Sequence, residues 1–366
     1  MLRTPLIDRH RSAGAKLIDF AGWEMPIQYT GVVDEYYTVR SKAGLFDVSH
    51  MGRLVVTGAG AAEFLQRLTT NNVHTLAVGQ AHYSMVCNER GGIKDDIFVY
   101  RIAEAEFLLC VNASNRAKIL DWIRAHHRTV DTCRIEDRSA SLAQIAIQGP
   151  ASRDILLDLG ADHIGALKLH RACESVLSGI PCFVARAGYT GELGYELIVP
   201  AENAAQVWSR ISETGQARGL KPAGLGARDL LRLEMGYLLY GNDISEDTTP
   251  LEAGAEWTVD FQKGEFVGSK AILAQKQAGA ARRFVAFELL EKGVPRHGFK
   301  ILDPSSSQVI GEVTSGNLSP LLQKGIGLGY VPLRYVEPGT PIAIDIRGKA
   351  LTATVVKPPF YKRPKS

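Results

Sequence analysis

Two adjacent carboxylates, Asp95 and Asp96, sit in Gly-Gly-Ile-Lys-Asp-Asp-Ile-Phe-Val-Tyr at residues 91–100. A glycine turn running into β-branched and aromatic residues predicts a strand. Neighbouring strand side chains point to opposite faces. Asp95 therefore shares a face with Ile97 and Val99, and Asp96 with Phe98 and Tyr100. On a regular strand the two acids cannot act as a dyad. One is expected to be solvated, while the other faces an aromatic wall that is either a pocket for a proton-handling carboxylate or a plain polar strand entry.

Other polar clusters offer less chemistry. Asp47, Ser49 and His50 alternate faces on an extended segment and do not converge on one proton-transfer line. Gly58-Ala-Gly60-Ala-Ala-Glu63 follows a predicted strand as a dinucleotide fingerprint would, but glutamate replaces its third glycine, so a nicotinamide or flavin is not expected. His126 and His127 end a predicted helix, where a cation suits the dipole. The five cysteines are odd in number and never spaced C-x-x-C, which supports neither zinc nor a redox motif. Cys87 and Cys110 lie in apolar runs and read as buried free thiols. Arg228 is harder to place. It falls in the first turn of a predicted helix after Gly224-Leu-Gly-Ala, against the dipole, and needs a carboxylate partner or an anionic ligand. Arg232 and Glu234 read as surface charge pairing.

The elements that position these groups are mixed. Helices are expected at 32–44, 60–69 and 112–127, the last with Ser114 as N-cap, and strands at 53–56, 82–87, 96–102 and 106–111. The absence of regular β-α-β alternation argues for an α+β class. Past residue 280, short strands at 284–289, 309–314, 326–331, 341–346 and 351–356 predict a small barrel or sandwich. Ala278–Arg283 reads as the linker. At 366 residues, 45% hydrophobic and 22% charged, the chain belongs with multi-domain globular proteins. No 18-residue apolar run predicts a membrane span, and no secretory h-region opens the chain, so a cytoplasmic location is expected. A net charge of +3 without a basic face does not favour nucleic acid, though it suits a small anionic ligand or an acidic protein partner.

Eight ordered stretches together carry a resemblance: Thr4-Pro-Leu, Asp19–Pro26, Phe46–Gly52, Asn88–Asp96, Gly188–Glu192, Gly224–Asp229, Gly311–Gly316 and Pro359-Phe-Tyr361. Over nearly its full length the chain resembles the glycine cleavage system T proteins, which are tetrahydrofolate-dependent aminomethyltransferases. The resemblance implies two interleaved antiparallel-sheet α/β domains within residues 1–278 and a C-terminal small β-barrel at 279–366, three domains around a central hole. It implies tetrahydrofolate as one-carbon acceptor, and a lipoyl-bearing H protein that delivers the aminomethyl group. It places the catalytic carboxylate at Asp96, leaving Asp95 as the solvated one. It puts Glu196 on the pterin ring and Arg228 on the ligand, with Tyr189, Asn112, Met51, Tyr83, Tyr237 and Tyr361 lining the pocket. A related folate-dependent demethylase and a non-enzymatic folate-binding sensor remain the alternative readings.

Overall fold

The structure is a computed structural model that describes residues 1–363. One compact unit is built from Met1–Ser84 with Asp95–Asp229, and a second from Met85–Lys94 with the chain from Leu230 on.

Two sheets organise the first unit. The larger has six strands in the order Ala172–Leu177, Ile180–Ala185, Gly194–Pro200, Leu142–Gln148, Ala43–Asp47 and Leu220–Pro222. Only the last pairing is parallel; the others are antiparallel. One face carries Leu45, Ile145, Ile147, Leu197 and Val199, all fully buried. They pack with Val207, Trp208 and Ile211 of the helix Ala204–Gly215. Those helix positions recur at the three- and four-residue spacing of an amphipathic stripe. Each such side chain contributes about 1.5–3 kcal/mol by leaving water.

The second sheet runs Gln80–Cys87, Ile93–Ala103, Glu106–Val111, Gly52–Thr57 and Arg134–Asp137. Val55, Tyr100, Leu108 and Cys110 of this sheet meet Ala185 and Ile198 of the larger one, with Met51, Phe98 and Phe183 alongside. The two sheets thus share an apolar layer at Phe98 and Tyr100. Helix boundaries are shorter than the periodicity predicts. The expected helix at 112–127 begins as a 3₁₀ turn, Ala113–Asn115, before Arg116–His126, and Ser114 makes no capping bond.

The second unit contains a closed six-stranded barrel in the order Arg282–Leu289, Lys324–Pro332, Val309–Ser319, Lys300–Leu302, Pro341–Ile346 and Lys349–Val356. Five of these match expected strands, and the short Lys300–Leu302 was missed. Phe287 fills the barrel. A side chain at Gly327 would come within 2.3 Å of its ring, so glycine makes room for it. The helix Ser269–Ala278 ends at the expected linker. In the same unit, the double glycine before the carboxylates has a steric cause. Asn88 Oδ1 accepts the backbone N–H groups of Arg90 and Gly92, and a Cβ on Gly92 would lie 1.9 Å from the Glu246 carbonyl oxygen.

Arg232 and Glu234 are not surface charges. Arg232 is buried and donates to Asp243 at 2.7 Å and Ser315 at 2.8 Å. Glu234 is fully buried and accepts the Ser319 hydroxyl. Their helix, Leu225–Met235, is covered around this end, a tertiary fact that a one-face pattern cannot convey.

A single buried carboxylate organises the entry to that helix within the first unit. Glu35, fully buried, accepts the backbone N–H groups of Tyr29, Thr30 and Gly31 on one oxygen and that of Gly224 on the other. Gly224 itself is forced, since a Cβ there would lie 2.4 Å from Ile27 backbone. Replacing Glu35 by Gln turns an amide N–H₂ toward the Gly224 N–H and leaves a buried donor unmet. The Glu35→Gln protein is therefore expected to lose about 1–3 kcal/mol in equilibrium urea unfolding. Unchanged stability would show that this carboxylate is not the anchor.

Candidate active site

Asp96 is held from two sides. Its Oδ2 accepts the Tyr83 hydroxyl at 2.7 Å, and its Oδ1 accepts the Asn112 side-chain amide at 2.7 Å. Antiparallel pairing of Phe98 with Cys110 brings Asn112 opposite Asp96, and the strand Gln80–Cys87 supplies Tyr83. An aromatic wall adjoins them: Tyr83 and Phe98 have centroids 5.6 Å apart, and Phe98 and Tyr100 are 6.0 Å apart. Asp96 is half-buried. Two charge-assisted donors hold such a carboxylate in place, and a carboxylate so held is of the type that can take a proton.

The expectation for Asp95 is corrected. Strand alternation does put it on the Ile97 and Val99 face, but that face is interior, and Asp95 is 0% exposed. Its carboxylate accepts the Asn112 backbone N–H at 3.0 Å, the Asn112 amide at 2.8 Å and the Asn115 amide at 2.6 Å. Burial, and then the charge of Asp96, push the Asp95 carboxyl up; the asparagine donors pull the other way. The Asn112 amide bonds both acids, so they are linked although their side chains diverge.

A second polar cluster is built on the larger sheet. The segment leaving Ala43–Asp47 folds back: Ser49 N–H donates to Asp47, and the Ser49 hydroxyl donates to the Gln144 carbonyl oxygen. Buried Arg53 clamps it, donating to the carbonyl oxygens of Met51 at 2.6 Å, Ser49 at 2.9 Å and Ser139 at 2.8 Å. The Gln144 side chain then donates to Glu196 Oε2 at 2.8 Å. Burial raises the Glu196 carboxyl, while Arg228 and Gln144 draw it down. Arg228 lies with its guanidinium carbon 4.8 Å above the Tyr189 ring. Tyr189 is set by a loop in which Arg40 holds the Thr190 carbonyl oxygen and Glu192, and Gln148 accepts the Thr190 hydroxyl. The Nη1 of Arg228 is buried with no hydrogen-bond partner among the described residues. The need for a carboxylate or an anionic ligand that its dipole position implies is met by charge attraction to Glu196, with hydrogen-bonding capacity left over.

Asp96, Tyr83, Asn112, Met51, Tyr189, Glu196 and Arg228 all belong to the first unit. Tyr237 and Tyr361 belong to the second. There Tyr237 is 37% exposed just beyond its helix, and Tyr361 is buried with its N–H on the Glu234 carbonyl oxygen. Asn115, Gln144 and Arg53 were missed; each acts on a partner far along the chain or through backbone carbonyl groups, and no local pattern marks that. Both helix-end histidines make backbone bonds, His126 to Trp122 and His127 to Cys133. Cys87 and Cys110 are buried free thiols, pushed up to about 12 by burial. A separate cavity of about 690 Å³, lined by Val55, Leu108, Phe183, Glu106 and Arg138 among others, contains none of the site residues. Polar geometry rather than volume therefore marks the site. No helix among the described residues is long and apolar enough to cross a membrane.

His50 adds a titratable element. Its imidazole is 3% exposed and edge-on to Phe20 at 5.6 Å. Burial lowers it to about 4; Asp47 opposes that shift, while Arg228 and Arg53 reinforce it. In the unfolded chain His50 takes a proton near pH 6.5, and in the folded chain only near 4. Stability from this group is full above pH 6.5 and lost as pH falls toward 4, by up to about 3 kcal/mol. Urea titrations across that window are expected to show a shallower acid loss for His50→Gln than for the wild type; parallel curves would refute it.

Comparison with known proteins follows the same lines. The GCVT N-terminal domain model matches residues 6–263, and the glycine cleavage T-protein C-terminal barrel domain model matches 282–362. The aminomethyltransferase of Halothermothrix orenii is 47% identical over 362 residues, spanning 98% of this chain and 100% of its own. That of Desulforamulus reducens is 45% identical over 361 residues, spanning 99% and 98%. The crystal structure of the glycine cleavage system aminomethyltransferase T from Bartonella henselae superposes with a TM-score of 0.93 at 35% identity, covering 99% of this chain and 98% of that one. Matched end to end in sequence, in barrel and in overall backbone, the chain belongs to the glycine cleavage T-protein family, and its activity is aminomethyl transfer.

Proposed function

We propose that the one-carbon acceptor is tetrahydrofolate and that the donor is an aminomethyl group on the dihydrolipoyl arm of an H protein. The products are 5,10-methylenetetrahydrofolate, ammonia and the reduced carrier dithiol. The observation that carries this reading is the Asp96 carboxylate, fixed by Tyr83 and Asn112 beside an aromatic wall, in a chain of this family. The residues present suit a pterin. Glu196 has one oxygen occupied by Gln144, and its other takes no hydrogen bond from the described residues. A carboxylate oxygen facing an amidine-like N3–H and 2-amino edge completes that pair.

Tetrahydrofolate supplies two nucleophilic amines. The carbon between sulfur and nitrogen loses both bonds and gains bonds to N5 and N10; the two amine protons end on ammonia and on the carrier thiol. Asp96 is the group placed to take the proton from the attacking amine, its geometry held so that no reorganisation is needed at the moment of transfer. Positioning of this kind can supply ~7–11 kcal/mol of a barrier reduction, and one placed carboxylate typically adds a factor of about 10²–10⁴. Tyr189, Met51, Tyr237 and Tyr361 complete the proposed lining. The division at 278/279 stands as the proposed boundary between the folate-binding region and the barrel, supported by the separate ranges of the two family models. Five free thiols support a cytoplasmic location.

Asp96→Asn keeps the Tyr83 and Asn112 neighbourhood nearly isosteric while removing the base. Its single-turnover rate with aminomethylated H protein is expected to fall by about 10²–10⁴, with tetrahydrofolate affinity and thermal midpoint close to wild type. A wild-type rate would refute the role. Glu196→Ala is expected to weaken tetrahydrofolate binding by at least about tenfold in anaerobic titration calorimetry, as a hydrogen bond to a charged group predicts. Unchanged affinity would contradict a pterin contact.

A further inference from the structure

The hydrogen-bonding capacity left over beside Glu196 belongs to two side chains. His50 Nδ1 and Arg228 Nη1 are both buried without hydrogen-bond partners, and no hydrogen bond to either side chain is found among the described residues. Their placement follows from the sheet. The parallel pair Ala43–Asp47 and Leu220–Pro222 sends both chains out at the same end, one into the 48–51 segment and the other into the helix that bears Arg228. Ser49, next to His50, bonds Gln144, whose side chain bonds Glu196. Glu196 itself lies in register with Ala146, which pairs with Phe46. His50, Arg228 and Glu196 therefore converge at one end of the strands of one sheet.

The tautomer can be assigned from burial. An unmet buried N–H costs more than an unmet lone pair. Nδ1 is shut away, so the proton of the neutral ring belongs on Nε2, which is not among the buried unpartnered atoms. The donor pattern is then acceptor from Glu196, followed by donors from Arg228 and His50. Resting on the tetrahydrofolate reading above, we infer that His50 donates through Nε2–H, together with Arg228, to the pterin 4-carbonyl oxygen and acts as a positioning and specificity residue for that ring. The edge of a 2-amino-4-oxo ring is donor, donor, acceptor, which is the complement of this arrangement. Without His50 the ring keeps its Glu196 bonds but loses one tether near the carbonyl.

The test measures tetrahydrofolate affinity by anaerobic calorimetry, and KM and kcat, for His50→Phe and His50→Gln in the full-length protein. Phenylalanine keeps the ring shape without a donor, whereas the glutamine amide nitrogen reaches the Nε2 position. Phenylalanine is expected to weaken binding about 3- to 10-fold, with KM raised more than kcat falls, and glutamine to recover most of that loss. If the phenylalanine variant does not fold, His50→Leu takes its place. Wild-type affinity in the donor-less variant overturns the inference. So do equal losses in both variants accompanied by lowered thermal midpoints, which would mark a structural role. Glu196→Ala runs in parallel. If it weakens binding while His50→Phe does not, only the His50 inference falls; if neither matters, the tetrahydrofolate reading falls with it.

Discussion

The side-chain amide of Asn112 is the contact on which the candidate site depends. It reaches Asp95 at 2.8 Å and Asp96 at 2.7 Å, joining two carboxylates that strand geometry points apart. Two adjacent acids would ordinarily repel each other, and one buried carboxylate would ordinarily protonate. Asparagine donors satisfy the hydrogen bonds of Asp95 inside the fold and hold Asp96 at its edge, although burial and the charge of Asp96 still leave the Asp95 carboxyl raised. The outer acid is then a rigid, half-exposed group with a fixed direction. Tyr83 closes the remaining side.

Similar hubs recur where the chain must hold irregular backbone still. Glu35 gathers four backbone N–H groups and sets the start of the helix that carries Arg228. Arg53 gathers three carbonyl oxygens and fixes the segment that carries Met51 and His50. Each buries a charge, which is costly unless every hydrogen bond around it is made. Glu35 and Arg53 anchor loops beside the polar cluster rather than at random in the core. That placement matches a site whose side chains must be precise although several sit on connecting segments.

Much of this was legible in the residues, and the failures have physical causes. The strand through Asp95 and Asp96, the divergence of the two acids and the barrel strands followed from turn chemistry and a two-residue period. The choice of which acid is buried did not, because alternation gives two faces without saying which meets solvent, and here the Ile97 and Val99 face is the interior one. Arg232 and Glu234 failed for a related reason: a helix with one apolar stripe looks solvated opposite it, yet further chain covers this one. Asn112 serves as a bridge only after pairing brings it across from Asp96. Ser114 gave way as a cap because the helix start is a 3₁₀ turn whose flanking asparagines bind Asp95 instead. Gln144 and Arg53 act over separations of 52 and 86 residues, beyond any local signal.

A structure of the protein with tetrahydrofolate bound tests the central claim most directly, through the distance from the Asp96 carboxylate to the folate amines. The account predicts N5 or N10 within hydrogen-bond reach of Asp96, about 2.6–3.2 Å directly or through one water, with the pterin edge on Glu196. A folate lodged in the separate cavity near Phe183 and Arg138, or with both amines turned away from Asp96, would contradict it.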